Sequence, residues 1–211
     1  ALPIFSSHIA LEEMTDLGSE NPLAKAPAVL EKYASIGIKY AVVPYLPEPY
    51  QPKNGRFAEV YEQIAKLCEI AKGYGLTMLY HNHDFEFSEK LNGEKLFDIM
   101  MKSMDPDLVV VQLDIGNMYN GGAVALDVVK QYPGRFENLH VKDEILATGG
   151  RDKYESTIIG KGIVNAREVV DLATKIGGTE VYIIEQESYQ GKAPMECIKE
   201  NLDVMREWGY V

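Results

Sequence analysis

Short apolar runs rich in Val, Ile, Leu and Tyr alternate with longer segments of helical periodicity along the whole chain, and this alternation limits the fold more than any other feature. Each repeat reads as one βα unit. Strands are expected at residues 2–7, 38–45, 76–81, 108–114, 136–141 and 181–185, and helices at 24–36, 57–74, 93–104, 123–131, 166–176 and 194–208. The strand runs are continuously apolar, the pattern required where a parallel sheet is covered on both faces. In the second helical segment Val60, Ile64, Leu67 and Ala71 recur at three- and four-residue spacing, with Glu62, Lys66 and Glu69 on the other side. Gly37, Gly75 and Gly177 stand where helices should turn back into strands, a place that suits a left-handed residue.

Six βα units in a row favour a (β/α) barrel folded as one domain over residues 1–211. A doubly wound sheet is the competing architecture, but no glycine-rich phosphate fingerprint follows the first strand. A closed barrel of this type has eight units, so the expectation is that the first two are missing from this chain. The net charge of −11 opposes binding to nucleic acid or to an anionic membrane surface. Cys68 and Cys197 lie far apart inside helical patterns and read as reduced, buried thiols, which fits a cytoplasmic protein. A mature chain whose export signal has been removed would look the same.

Where the apolar runs end, the polar residues that can hold a metal begin. The runs stop at His8, at His81 and His83, at Asp114, at His140 and at Glu185, which takes in all four histidines of the chain. In a barrel these positions collect at the carboxyl ends of the strands. On an extended strand end His81 and His83 point to one side, with Asn82 opposite. Imidazole and carboxylate together suit a divalent ion such as Mn, Co, Zn or Fe, with Mg also accommodated. Tyr45 and Tyr119 follow strand ends and can wall a ligand pocket by stacking. The glycines at 121–122 and at 160 and 162 are read as loop geometry rather than as a phosphate cradle.

Taken together, the segments YHNHDFEF, QLDIGN, LHVKD, IIGKGIVNAREVV and IIEQESY resemble the sugar phosphate isomerase/epimerase family of xylose isomerase-like TIM barrels. That family includes inosose dehydratase, hydroxypyruvate isomerase and ketose 3-epimerase relatives. The resemblance implies a (β/α)8 barrel with a divalent metal held by His81, Asp114, His140 and Glu185. It implies a substrate pocket lined by His8 and His83, with Lys142, which follows the metal histidine, placed to hold a hydroxyl or anionic group. Glu185, on the metal-bearing strand, is the expected acid–base group and His83 the second proton carrier, with Glu187, on the strand face of Glu185, behind it at the substrate. Many relatives read Glu-Asn-His where this chain reads His81-Asn82-His83, so a symmetric two-glutamate epimerisation is not expected here.

The expected activity is metal-dependent isomerisation or epimerisation of a small sugar, sugar phosphate or polyol through an enediolate. A dehydratase resembling inosose dehydratase is the alternative from the same site. A sugar-binding barrel without catalysis is the alternative from another class. The expected partner is the small-molecule substrate, with no nucleic acid and no membrane. A homo-oligomer is expected wherever barrel edges need covering.

Overall fold

The computed structural model describes residues 4–51, 56–107, 109–149 and 153–211. Leu2 and Pro3 of the expected first strand, and Leu108 of the fourth, lie outside the described residues. In chain order the elements are β1 (Ser6–His8), α1 (Leu11–Met14), α2 (Ala26–Ser35), β2 (Tyr40–Val43), a 3-10 turn (Glu48–Tyr50), α3 (Phe57–Gly73), β3 (Thr77–His81), α4 (Phe85–Ser88), β4 (Lys90–Leu91), β5 (Glu94–Lys95) and α5 (Leu96–Ser103). There follow β6 (Val109–Asp114), α6 (Ile115–Asn120), α7 (Ala125–Gln131), β7 (Asn138–Val141), β8 (Asp143–Leu146), β9 (Tyr154–Thr157), α8 (Ala166–Leu172), β10 (Val181–Ile184) and α9 (Pro194–Trp208). Two compact units are distinguished, one comprising the chain up to Asn82 with Glu89–Val111, the other His83–Ser88 with Gln112–Val211.

In the first unit β1, β2 and β3 pair in parallel and in chain order, with Ser6 beside Tyr40 and Tyr40 beside Thr77. The helices between them are crossovers, as parallel pairing demands. On α3, Val60, Ile64, Leu67 and Ala71 are buried, while Glu62, Lys66 and Glu69 are exposed, as their spacing requires. All four residues of β2 are buried, but β1 is half-buried to exposed because only β2 flanks it. The expected helix over 93–104 begins only at Leu96. Ahead of it Asn92 and Gly93, both at positive φ, close the β4–β5 hairpin, the turn that an Asn-Gly pair favours.

In the second unit the end of β6, then β7 and β10, run parallel, with Asp114 beside His140 and His140 beside Ile183. A second hairpin, β8–β9, is absent from the sequence-based expectation; its register sets Asp143 opposite Thr157 and Glu144 opposite Ser156. The helix expected to run to 176 stops as an α-helix at Leu172 and continues as a π-helical turn over Ala173–Gly177. The left-handed residue that ends it is Gly178, at φ 80°, and not Gly177. Strand β10 is half-buried along its length, as the last strand in the order. Among the described residues no helix is long and apolar enough to cross a membrane.

Candidate metal centre

Parallel register brings the strand-end residues of the second unit to one level. Asp114 ends β6 beside His140 on β7, and Glu185 follows the last residue of β10, its backbone N–H donating to the Val141 carbonyl at 3.3 Å. Extending that register by one residue sets Glu185 opposite Lys142. One donor atom each from Asp114, His140 and Glu185 lies within 4.8 Å of the others. His140 Nδ1 is 3.8 Å from Asp114 Oδ2 and in hydrogen-bond contact with Glu185 Oε2.

Asp114 is also the N-cap of α6. Its Oδ1 accepts the Asn117 backbone N–H at 2.7 Å, which leaves Oδ2 on the His140 side. The α6 helix was not expected from the sequence; the signal was the D-x-x-N spacing of Asp114 and Asn117, which suits an N-cap. Gly116, in the first turn of α6, is obligatory, because a Cβ there would stand 2.7 Å from Lys142 Cγ and 2.9 Å from Glu144 Oε1.

Lys142 is only 2% exposed and reaches Glu185 Oε1 at 3.2 Å, Asn117 Oδ1 at 3.3 Å and Glu187 Oε2. Asp143 is as deeply buried, so these two residues are not a solvated pair. The Asp143 carboxylate accepts the backbone N–H groups of Glu144, Gly160, Gly162 and Val164 at 2.8–3.1 Å, tying the 160–164 loop to β8.

Electrostatics separates the carboxyls. Burial pushes Asp114 up to about 6, against the pull of the Lys142 ammonium. Burial also opposes ionisation of Glu185, but the His140 ring and Lys142 outweigh it and hold that carboxyl down to about 2. Lys142 is held above the usual lysine range because Asp114, Glu187 and Glu185 overcome its own desolvation.

This donor set fits a divalent ion. One imidazole nitrogen and two carboxylate oxygens from the ends of three neighbouring strands are the ligand types that Zn, Mn, Fe or Co accept, and Mg tolerates the oxygens. Donors held about 2.1 Å from an ion stand roughly 3–3.5 Å apart, so the three need only small shifts to share one.

The other residues singled out in the sequence are placed as follows. In the first unit the His8 and His81 rings face each other at 5.1 Å, tilted by 49°, and Tyr45 lies in the loop after β2, 42% exposed. His83 belongs to the second unit, where its backbone N–H donates to Glu86 at 2.8 Å and its ring stacks on Phe85. Glu187 stands at the rim, against Lys142. Tyr119 packs edge-on against Tyr154 at 5.3 Å.

The sequence reading missed Asn117, Asn120, Glu144 and Ser156. Ser156 Oγ accepts the backbone N–H groups of Glu187 and Ser188 at 2.7 and 2.9 Å, fixing the segment after β10 to the β8–β9 hairpin. Beside the cluster, within the second unit, lies an open cleft of about 560 Å³ that Glu144, Glu187 and Ser156 help to line.

A family model described as xylose isomerase-like TIM barrel matches residues 6–208. Inosose dehydratase of Bacillus licheniformis is 27% identical over 140 residues, which cover 61% of this chain and 46% of that protein. The chain thus spans about half the length of this curated relative. The crystal structure of a sugar phosphate isomerase/epimerase from Parabacteroides distasonis superposes on 100% of this chain and 72% of its own, with a TM-score of 0.80 and 26% identity. A xylose isomerase-like TIM barrel protein from Mycobacterium smegmatis, solved in complex with magnesium, superposes on 99% of this chain and 74% of its own, with a TM-score of 0.71 and 17% identity. The parallel βα repeat and the match over nearly the whole length agree, and the protein belongs to the xylose isomerase-like TIM barrels.

Proposed function

We propose that the protein is a metal-dependent enzyme that moves a proton next to a carbonyl group of a small polyhydroxy compound, as an isomerase or epimerase. The observation that carries this reading is the convergence of Asp114, His140 and Glu185, with the buried Lys142 ammonium on the same carboxylate. In this reading those three residues hold a divalent ion, zinc and magnesium being the first to test. His8 and His81 keep the roles that the family resemblance implies for them, His81 as a ligand and His8 toward substrate, and Tyr45 is kept as a stacking wall of the pocket.

When bound, such an ion supplies a Lewis acid for a carbonyl and its neighbouring hydroxyl. The chain's own groups supply the rest. Lys142, kept charged by three carboxylates, offers N–H donors to a substrate oxygen where negative charge develops. Glu187 places a carboxylate on that same ammonium at the mouth of the site. Glu185 and His83 are the proposed acid–base pair. Against burial, His140 and Lys142 hold the Glu185 carboxyl down to about 2, so it meets the substrate ionised, as a proton acceptor.

Incubating keto-sugars with the zinc- or magnesium-loaded protein in deuterated water, followed by NMR, tests the reaction. Deuterium beside the carbonyl with no loss of water is the expected result. The second reading, dehydration, is favoured by the relation to inosose dehydratase and is reported by loss of water. Neither exchange nor water loss with metal bound would sink both and leave a sugar-binding barrel.

A further inference from the structure

The cleft beside the cluster has a chemistry of its own. Among the described residues its lining sets four carboxylates, Asp84, Glu144, Glu155 and Glu187, against one cation, Lys153, whose ammonium sits over the Tyr154 ring at 4.8 Å. An acidic lining alone selects nothing. Glu144 adds the second observation. It is 1% exposed, Asn120 reaches its Oε1 at a long 3.4 Å, and its Oε2 is buried with no hydrogen-bond partner among the described residues. A buried carboxyl oxygen without a partner costs free energy that a ligand hydroxyl would recover.

The position is built. Gly116 leaves the space in which Glu144 and Lys142 lie, Asp143 anchors the start of β8, and Ser156 pins the backbone of Glu187 and Ser188. Lys142, the other cation within reach, is engaged by Glu185, Glu187 and Asn117.

We propose that this cleft is the hydroxyl-binding half of the substrate site, that Glu144 is its specificity-determining residue, and that the substrate is therefore an unphosphorylated polyhydroxy carbonyl compound. A hydroxyl both donates and accepts, so it matches a carboxyl in either protonation state. A phosphate group offers only acceptors and negative charge near neutral pH, and among Asp84, Glu155 and Glu187 it meets repulsion that, among the described lining residues, Lys153 alone offsets. Burial, opposed by Lys142 and Asn120 and reinforced by Asp114 and Glu187, pushes the Glu144 carboxyl up to about 7. That keeps a proton available for donation without any change in the geometry.

The inference deepens the reading above by naming its substrate class, and it can be tested without turnover. Calorimetry on the metal-loaded protein would use matched pairs, fructose with fructose 6-phosphate and a cyclitol with its monophosphate. At least one neutral member is expected to bind about tenfold or more tighter than its phosphorylated counterpart, and Glu144→Gln to weaken that binding about tenfold. Should Glu144→Gln unfold, Asp84→Lys, a change at an exposed residue of the rim, is expected to relax the discrimination against phosphate. Equal or tighter binding of the phosphorylated members, or no binding of any member by metal-loaded protein, would overturn the proposal. Metal content, measured in the same preparations, reports separately on the metal centre; Glu144-dependent polyol binding without bound metal would leave the cleft standing and remove the reading above.

Discussion

Asp114 caps α6 through one oxygen and faces His140 through the other, so substitutions at this residue separate two contributions. Asp114→Asn keeps a side-chain oxygen for the cap and removes the ligand charge. The expected result is at least a tenfold loss of metal affinity, read by competition with a chromophoric chelator, with the melting temperature of the metal-free protein held or raised. Asp114→Ala removes the cap as well and should cost about 1 kcal/mol more. The same carboxyl sets the pH dependence of metal uptake. Its pKa is raised to about 6 by burial, so below that value a proton must leave before an ion can bind, and affinity should fall about tenfold per pH unit. Glu185, already ionised down to about 2, adds nothing in that window. For the metal-free fold the signs are opposite: the raised Asp114 weakens stability as pH climbs from its ordinary 3.8 through 6, and the lowered Glu185 contributes stability above its ordinary 4.5 that is lost toward 2. A further check concerns Cys68, whose thiol burial drives up to about 12. A thiol reagent at pH 8 should leave it unmodified in the native protein and label it after unfolding. Asp114, His140 and Glu185 were legible in the sequence because each ends an apolar run. Glu144 was not, because what makes it unusual is an oxygen left without a partner after packing.

Among the elements, the β8–β9 hairpin organises the wall of the cleft, and it hangs on Asp143. Four backbone N–H groups share that carboxylate, so Asp143→Ala should lower stability by about 3 kcal/mol or more, seen as a drop in melting temperature of roughly 6–12 °C. Gly162→Ala tests the same contact from the other side, since its Cβ would come 2.2 Å from Asp143 Oδ1. It is expected to disturb the 160–164 loop and to reduce polyol binding in the cleft along with stability. The hydrophobic period announced the long helices and the parallel strands well, α9 to the residue. It was silent on both hairpins. The β4–β5 strands are two residues each, too short to show a period, and only the Asn-Gly turn marks them. At the start of β8, Lys142-Asp143-Glu144 reads as a polar loop start because nothing local says that its charges will be buried.

At the scale of the whole chain, an ion bound to the folded state and not to the unfolded one should raise the melting temperature. At a hundredfold excess over its dissociation constant it adds about 2.7 kcal/mol, a shift of roughly 5–11 °C that Asp114→Asn should abolish. A net charge of −11 predicts no retention on immobilised nucleic acid even at low salt. The sequence by itself determined the βα repeat, the order of the parallel strands and the strand ends at which the candidate ligands stand, because periodicity and chain order are local quantities. Only the tertiary structure decided that Lys142, Asp143 and Glu144 are buried, that Asp114 divides its oxygens between a helix and His140, and that Glu144 lacks a partner beside an acidic cleft. Burial and charge balance are sums over residues distant in sequence, and no local pattern carries them.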